Sequence, residues 1–76
     1  MFPVVLHDDK ATQMSVVAYA LAEVCRIAPE EAVRLMLLVH NEGKAEAACY
    51  TSVDEAERVV AQLHFYGVVA TVAVTA

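Results

Sequence analysis

Two glycines in 76 residues, Gly43 and Gly67, constrain this chain more than any other feature. Glycine takes the left-handed backbone that closes a helix without a Cβ penalty, and each of the two follows a run of apolar residues at helical spacing. A helix is therefore predicted to stop at each. The one ending at Gly43 opens at Pro29, whose fixed φ and missing N–H suit a first helical position, followed by Glu30 and Glu31, which complement the helix dipole. It carries Val33, Met36, Leu37 and His40. The one ending at Gly67 opens on a capping box formed by Ser52 and Glu55, with Ala56, Val59, Val60 and Leu63 turned to the core. A third stripe, from Met14 through Val17, Leu21, Val24 and Cys25 to Ile27, predicts a helix before both of these, with Thr12 as its N-cap.

The segments between helices read as strands. Val4 to Leu6 is a β-branched run closed by the polar cluster His7-Asp8-Asp9-Lys10, Lys44 to Tyr50 lies between a glycine stop and a Thr-Ser cap, and Val68 to Val74 is strongly β-branched. The order β-α-α-β-α-β predicts an α+β two-layer sandwich, its three helices packed on one face of a small, mainly antiparallel, three-stranded sheet. No repeat, linker or low-complexity stretch interrupts it, so residues 1–76 read as one domain.

A chain of 8.2 kDa buries only about 60% of its unfolded surface on folding, and a hydrophobic content of 59% supplies the core that this requires. Five basic against ten acidic residues, a net charge of -5, make nucleic acid and anionic membranes poor partners. The apolar run Phe2-Pro3-Val4-Val5-Leu6 is too short for a secretory signal or a membrane span, which leaves the cytoplasm as the expected location. Cys25 and Cys49 have no Cys-x-x-Cys or Cys/His ligand spacing around them and are expected to be buried, reduced thiols, with a disulfide the weaker alternative. No metal or other cofactor is implied. The spacing suggests no Ser/His/Asp or Cys/His set, so an enzyme is the least favoured class.

Asp8 and Asp9 are adjacent in a strand-to-helix loop, where neighbouring side chains diverge and an Asx turn is the ordinary role. His40, near a helix C-terminus, suits the dipole there. Met14 and Met36 fall on helical stripes and taken singly are core residues. Taken together, they suggest more. If the first two helices pack antiparallel, Met14 approaches Met36, Val39 and His40 beside the acidic loop, which makes an apolar pocket with an anionic rim. Such a pocket suits a ligand with one cationic amine and one large apolar side chain, as at a peptide N-terminus.

The segment Leu6-His7-Asp8-Asp9-Lys10-Ala11-Thr12-Gln13-Met14 resembles the Leu-His-Asn-Asp-Asp-x-Thr-Pro-Met loop of the ClpS adaptors, which recognise N-degrons for the ClpAP or ClpCP protease. Met36-Leu37-Leu38-Val39-His40-Asn41-Glu42-Gly43-Lys44-Ala45 is similar to the second and more specific signature, Met-Leu-x-Val-His-x-x-Gly-Lys-Ala. The resemblance covers nearly the whole chain and implies the same β-α-α-β-α-β fold. It implies that Asp8, Asp9 and His40 bind a peptide α-amino group and that Thr12, Met14, Val17, Met36 and Val39 surround a side-chain pocket. Met14 would be the gatekeeper against β-branched residues, with N-terminal Leu, Phe, Tyr or Trp as ligands. A ClpA- or ClpC-type unfoldase is the implied partner, with Arg58 matching a basic contact and Val53 replacing an acidic one. The chain departs from the pattern in having Asp8 for asparagine, Lys10 for aspartate and Gln13 for proline. The family's N-terminal extension has almost no counterpart before Val4, so delivery is expected to be less secure than recognition. The second reading is a protein-interaction domain without N-degron delivery, either ClpS-like or resembling the C-terminal domain of ribosomal stalk proteins, which shares the element order.

Overall fold

The computed structural model describes residues 1–73. The elements follow the expected order: β1 (Phe2–His7), α1 (Met14–Val24), α2 (Pro29–Glu42), β2 (Lys44–Tyr50), α3 (Val53–Phe65) and β3 (Ala70–Val72). β1 is the central strand of an antiparallel sheet of order β2-β1-β3. Its Val4 and Leu6 are fully buried, because residues two apart in a strand share a face and this face meets the helices. There they join Ala20 and Leu21 of α1, Ala32, Leu35 and Val39 of α2, Ala56, Val59 and Leu63 of α3, and Val68 and Ala70 from the end of the chain in one core. The β1–β2 register slips between Val4 and Val5: Val4 pairs with Ala48 and Val5 with Glu46, so Ala47 is the extra residue of a bulge in β2.

Several boundaries differ from those predicted. β1 is longer than Val4–Leu6 because its ladder with β2 runs from the Phe2–Tyr50 pair to the His7–Lys44 pair. α1 stops at Val24, short of Ile27: Cys25 caps it, Arg26 turns left-handed at φ 59, and Ala28 is extended at ψ 145, as a residue before proline prefers. Pro29 then restarts the helical path. Thr12 is not the N-cap of α1. That position belongs to Gln13, whose side chain makes no capping bond. β3 begins at Ala70, two residues later than predicted, since Val68 and Val69 form the link from α3, and Val74 lies outside the described residues.

Both glycines close helices as expected, each at φ 89. Gly43 N–H donates to the Val39 carbonyl at 2.8 Å. After α3, Gly67 N–H donates to His64 O and Val68 N–H to Leu63 O, the paired bonds of a Schellman motif, and the accompanying apolar contact is supplied by buried Leu63 and Val68. Ser52 caps α3 by accepting from Glu55 N–H at 3.4 Å. The two cysteines are free, but neither is fully buried: Cys25 is half-buried, and Cys49, paired with Pro3, is exposed because it falls on the face of the sheet turned away from Val4, Leu6 and the helices. Among the described residues no helix is long and apolar enough to cross a membrane.

Candidate functional site

The loop 8–13 between β1 and α1 is held at both ends by the two glycine stops. Asp8 N–H donates to the Gly43 carbonyl at 2.9 Å, which ties the start of the loop to the end of α2. Thr12 Oγ1 donates to the Gly67 carbonyl at 2.7 Å and also lies 3.1 Å from Asp9 Oδ2, which ties its far end to α3. Helix-terminal carbonyls have no partner within the helix, so using them as loop anchors satisfies two needs at once.

Asp9 forms the expected Asx turn, its Oδ1 accepting from Ala11 N–H at 3.0 Å. Oδ1 thus closes the turn, while Oδ2 shares the one Thr12 hydroxyl hydrogen with the Gly67 carbonyl. Asp8 differs: its side chain makes no bond within the loop, and Oδ1 lies 4.0 Å from His40 Nδ1. The Asp8–Gly43 backbone bond explains why these two groups meet, since His40 stands in the last turn of the helix that Gly43 ends.

Beneath this rim lies a cavity of about 300 Å³. Its walls include Met14 and Val17 from α1 and Met36, Val39 and His40 from α2, together with Asp8, Asp9 and Thr12 from the loop. All eight residues expected to form the amine site and the side-chain pocket are thus gathered around one cavity. Met14, the first residue of α1, is 38% exposed, while Val39 is buried. The volume is at the lower end of the roughly 300–1,000 Å³ found for small-ligand sites, and suits one large side chain.

Six further lining residues are not among the expected site residues: Leu6, His7, Lys10, Gln13, Val68 and Val69. Val68 and Val69 arrive from the link after α3. Val69 O accepts from His7 N–H at 2.9 Å, so the sheet brings this wall beside the loop. No local pattern marks them, because their β-branching reads equally well as strand. Arg58 lies apart, exposed on α3. A second cavity, of about 290 Å³ beside Glu23, Phe65 and Tyr66, contains none of the expected site residues. Among the described residues no group of three or more His, Cys, Asp or Glu is placed to hold a metal ion.

Comparison with known proteins gives the kinship. The family model described as ATP-dependent Clp protease adaptor protein ClpS matches residues 1–71. The ATP-dependent Clp protease adapter protein ClpS of Nitratidesulfovibrio vulgaris strain Miyazaki F is 47% identical over 64 residues, which are 84% of this chain and 63% of that protein. That of Desulfatibacillum aliphaticivorans is 41% identical over 64 residues, 84% of this chain and 61% of that protein. This chain accordingly spans less than two thirds of the length of these curated relatives. A solved structure of Agrobacterium tumefaciens ClpS2 bound to L-phenylalaninamide superposes with a TM-score of 0.84 at 23% identity, covering 95% of this chain and 93% of that one, and so shares its fold. With a family model matched over residues 1–71 and relatives above 40% identity across most of its length, the chain belongs to the ClpS family of Clp protease adaptor proteins.

Proposed function

We propose that residues 1–76 act as one non-catalytic adaptor domain in the cytoplasm that binds the free α-amino group and the bulky apolar side chain of N-terminal Leu, Phe, Tyr or Trp. The bound protein is then presented to a Clp unfoldase of the ClpA or ClpC type. The observation that carries this reading is the cavity itself: apolar walls of Val17, Met36 and Val39 beneath a rim where Asp8 faces His40. Burial of the side chain in the cavity supplies about 1.5–3 kcal/mol. The ammonium group donates charge-assisted hydrogen bonds to Asp8 and to the His40 ring, with lone pairs of Asp9 in reserve. Met14 closes the mouth, and Thr12 holds the loop from which Asp8 and Asp9 project. Family membership and the phenylalaninamide complex of ClpS2 support the same ligand chemistry. Arg58, exposed on α3 and away from the cavity, is assigned to the unfoldase contact.

The test is a titration with Leu- and Phe-initiated peptides, free and N-acetylated. Only the free-amine forms should bind, and their affinity should fall as the amine loses its proton above about pH 8. Equal affinity for free and acetylated peptides would remove the amine site from this account.

A further inference from the structure

Of the five Lys and Arg residues in this acidic chain, only Lys10 lines the cavity. It is exposed, and its ammonium group forms no hydrogen bond or ion pair among the described residues. Neither neighbouring aspartate pairs with it: Asp9 Oδ1 accepts from Ala11 N–H, and Asp8 Oδ1 lies on the side of His40. The rim therefore offers an anionic group for an amine and, in the same loop, an uncommitted cation.

Building on the adaptor reading, we propose that Lys10 selects N-terminal peptides with an acidic side chain at the second or third position. With the first side chain in the cavity and its amine at Asp8 and His40, a peptide that leaves across loop 8–13 passes Lys10, which lines the same cavity two residues after Asp8. An extended chain advances about 3.3 Å per residue, which keeps the next two residues within the span of a flexible lysine. A carboxylate there meets Lys10; a cation there is repelled. Both partners are solvated, so the contact discriminates by a small factor, and salt screens it.

The experiment compares Leu-Glu-Gly, Leu-Gly-Glu and their Gln counterparts at the N-terminus of one peptide, titrated into the wild type, Lys10→Gln and Lys10→Glu at about 0.05 M and 0.5 M salt. In the wild type, Glu at one of the two positions should bind about two- to fivefold tighter than Gln at low salt, with the ratio approaching one at high salt. Lys10→Gln should lower the ratio to that of the background charge, and Lys10→Glu should lower it further. A Glu/Gln ratio unchanged by Lys10→Gln at both positions would overturn the assignment of Lys10 while leaving the adaptor reading intact. Failure of every free-amine peptide to bind would overturn both.

Discussion

Met14 shows how exposure separates a wall from a core residue. Its helical phase allowed either role, but at 38% exposure in the first turn of α1 it holds little of the core together. Met14→Ala should therefore destabilise by well under the roughly 2–5 kcal/mol of a buried truncation while opening the mouth. Peptides beginning with Ile or Val should gain affinity, with Leu binding kept. Titrations with the three peptides and a thermal melt check this; a uniform loss of binding with a large fall in Tm would return Met14 to the core. Thr12 makes the opposite point. It is neither a helix cap nor merely a pocket wall, because its hydroxyl bridges the loop and the Gly67 carbonyl.

At the scale of elements, the same two glycines that end α2 and α3 offer their carbonyls to the loop that carries Asp8. At φ 89, either glycine replaced by alanine should cost about 1–2 kcal/mol from the left-handed backbone alone. A Cβ on Gly43 would meet nothing within 4 Å, and one on Gly67 would lie 3.5 Å from Thr12 Oγ1, an ordinary contact. The two substitutions are thus expected to lower stability alike in urea unfolding. A much larger loss for Gly67→Ala would mean that the Thr12 bridge tolerates no adjustment. The restart of the helical path at Pro29 belongs to this scale as well: a left-handed Arg26 and an extended Ala28 redirect the chain so that α2 can bring His40 to the loop.

For the molecule as a whole, alkaline stability should depend on a pair that joins the end of α1 to the end of β2. Burial pushes the Cys25 thiol up, partly offset by its hydrogen bond with Tyr50. Burial also raises the Tyr50 phenol, and Cys25 adds to the shift. Because both groups keep their protons longer in the folded protein than in the unfolded chain, their contribution is complete at neutral pH. It is lost as the pH rises past the ordinary thiol and phenol values of about 8.5 and 10 and through the raised ones. The urea midpoint should accordingly decline on the alkaline side, and Cys25→Ala should flatten the thiol part of that decline. A midpoint with the same alkaline slope in both proteins would exclude Cys25 as its source. In this small fold, α1 and β2 both pack into the single core, so titration at their junction is felt globally.

Much of the architecture was legible in the chain because it is local. Helical stripes, a proline start, a capping serine and glycine stops act over one or two turns, and they place α2 and α3 almost to the residue. The candidate site was legible for a related reason: its named residues lie in two short segments, 8–17 and 36–40, whose spacing and family resemblance can be read without coordinates. The remainder depended on contacts distant in sequence. Hydrogen bonding across the sheet decided the strand order β2-β1-β3, the Ala47 bulge and the register that leaves Cys49 exposed on the face away from the helices. Val68 and Val69 became cavity walls only because β3 pairs with β1, and Thr12 became a bridge only because Gly67 folds back to it. Local pattern determines which elements form and where they end; the shared core and the backbone groups left over at those ends determine which of their residues meet.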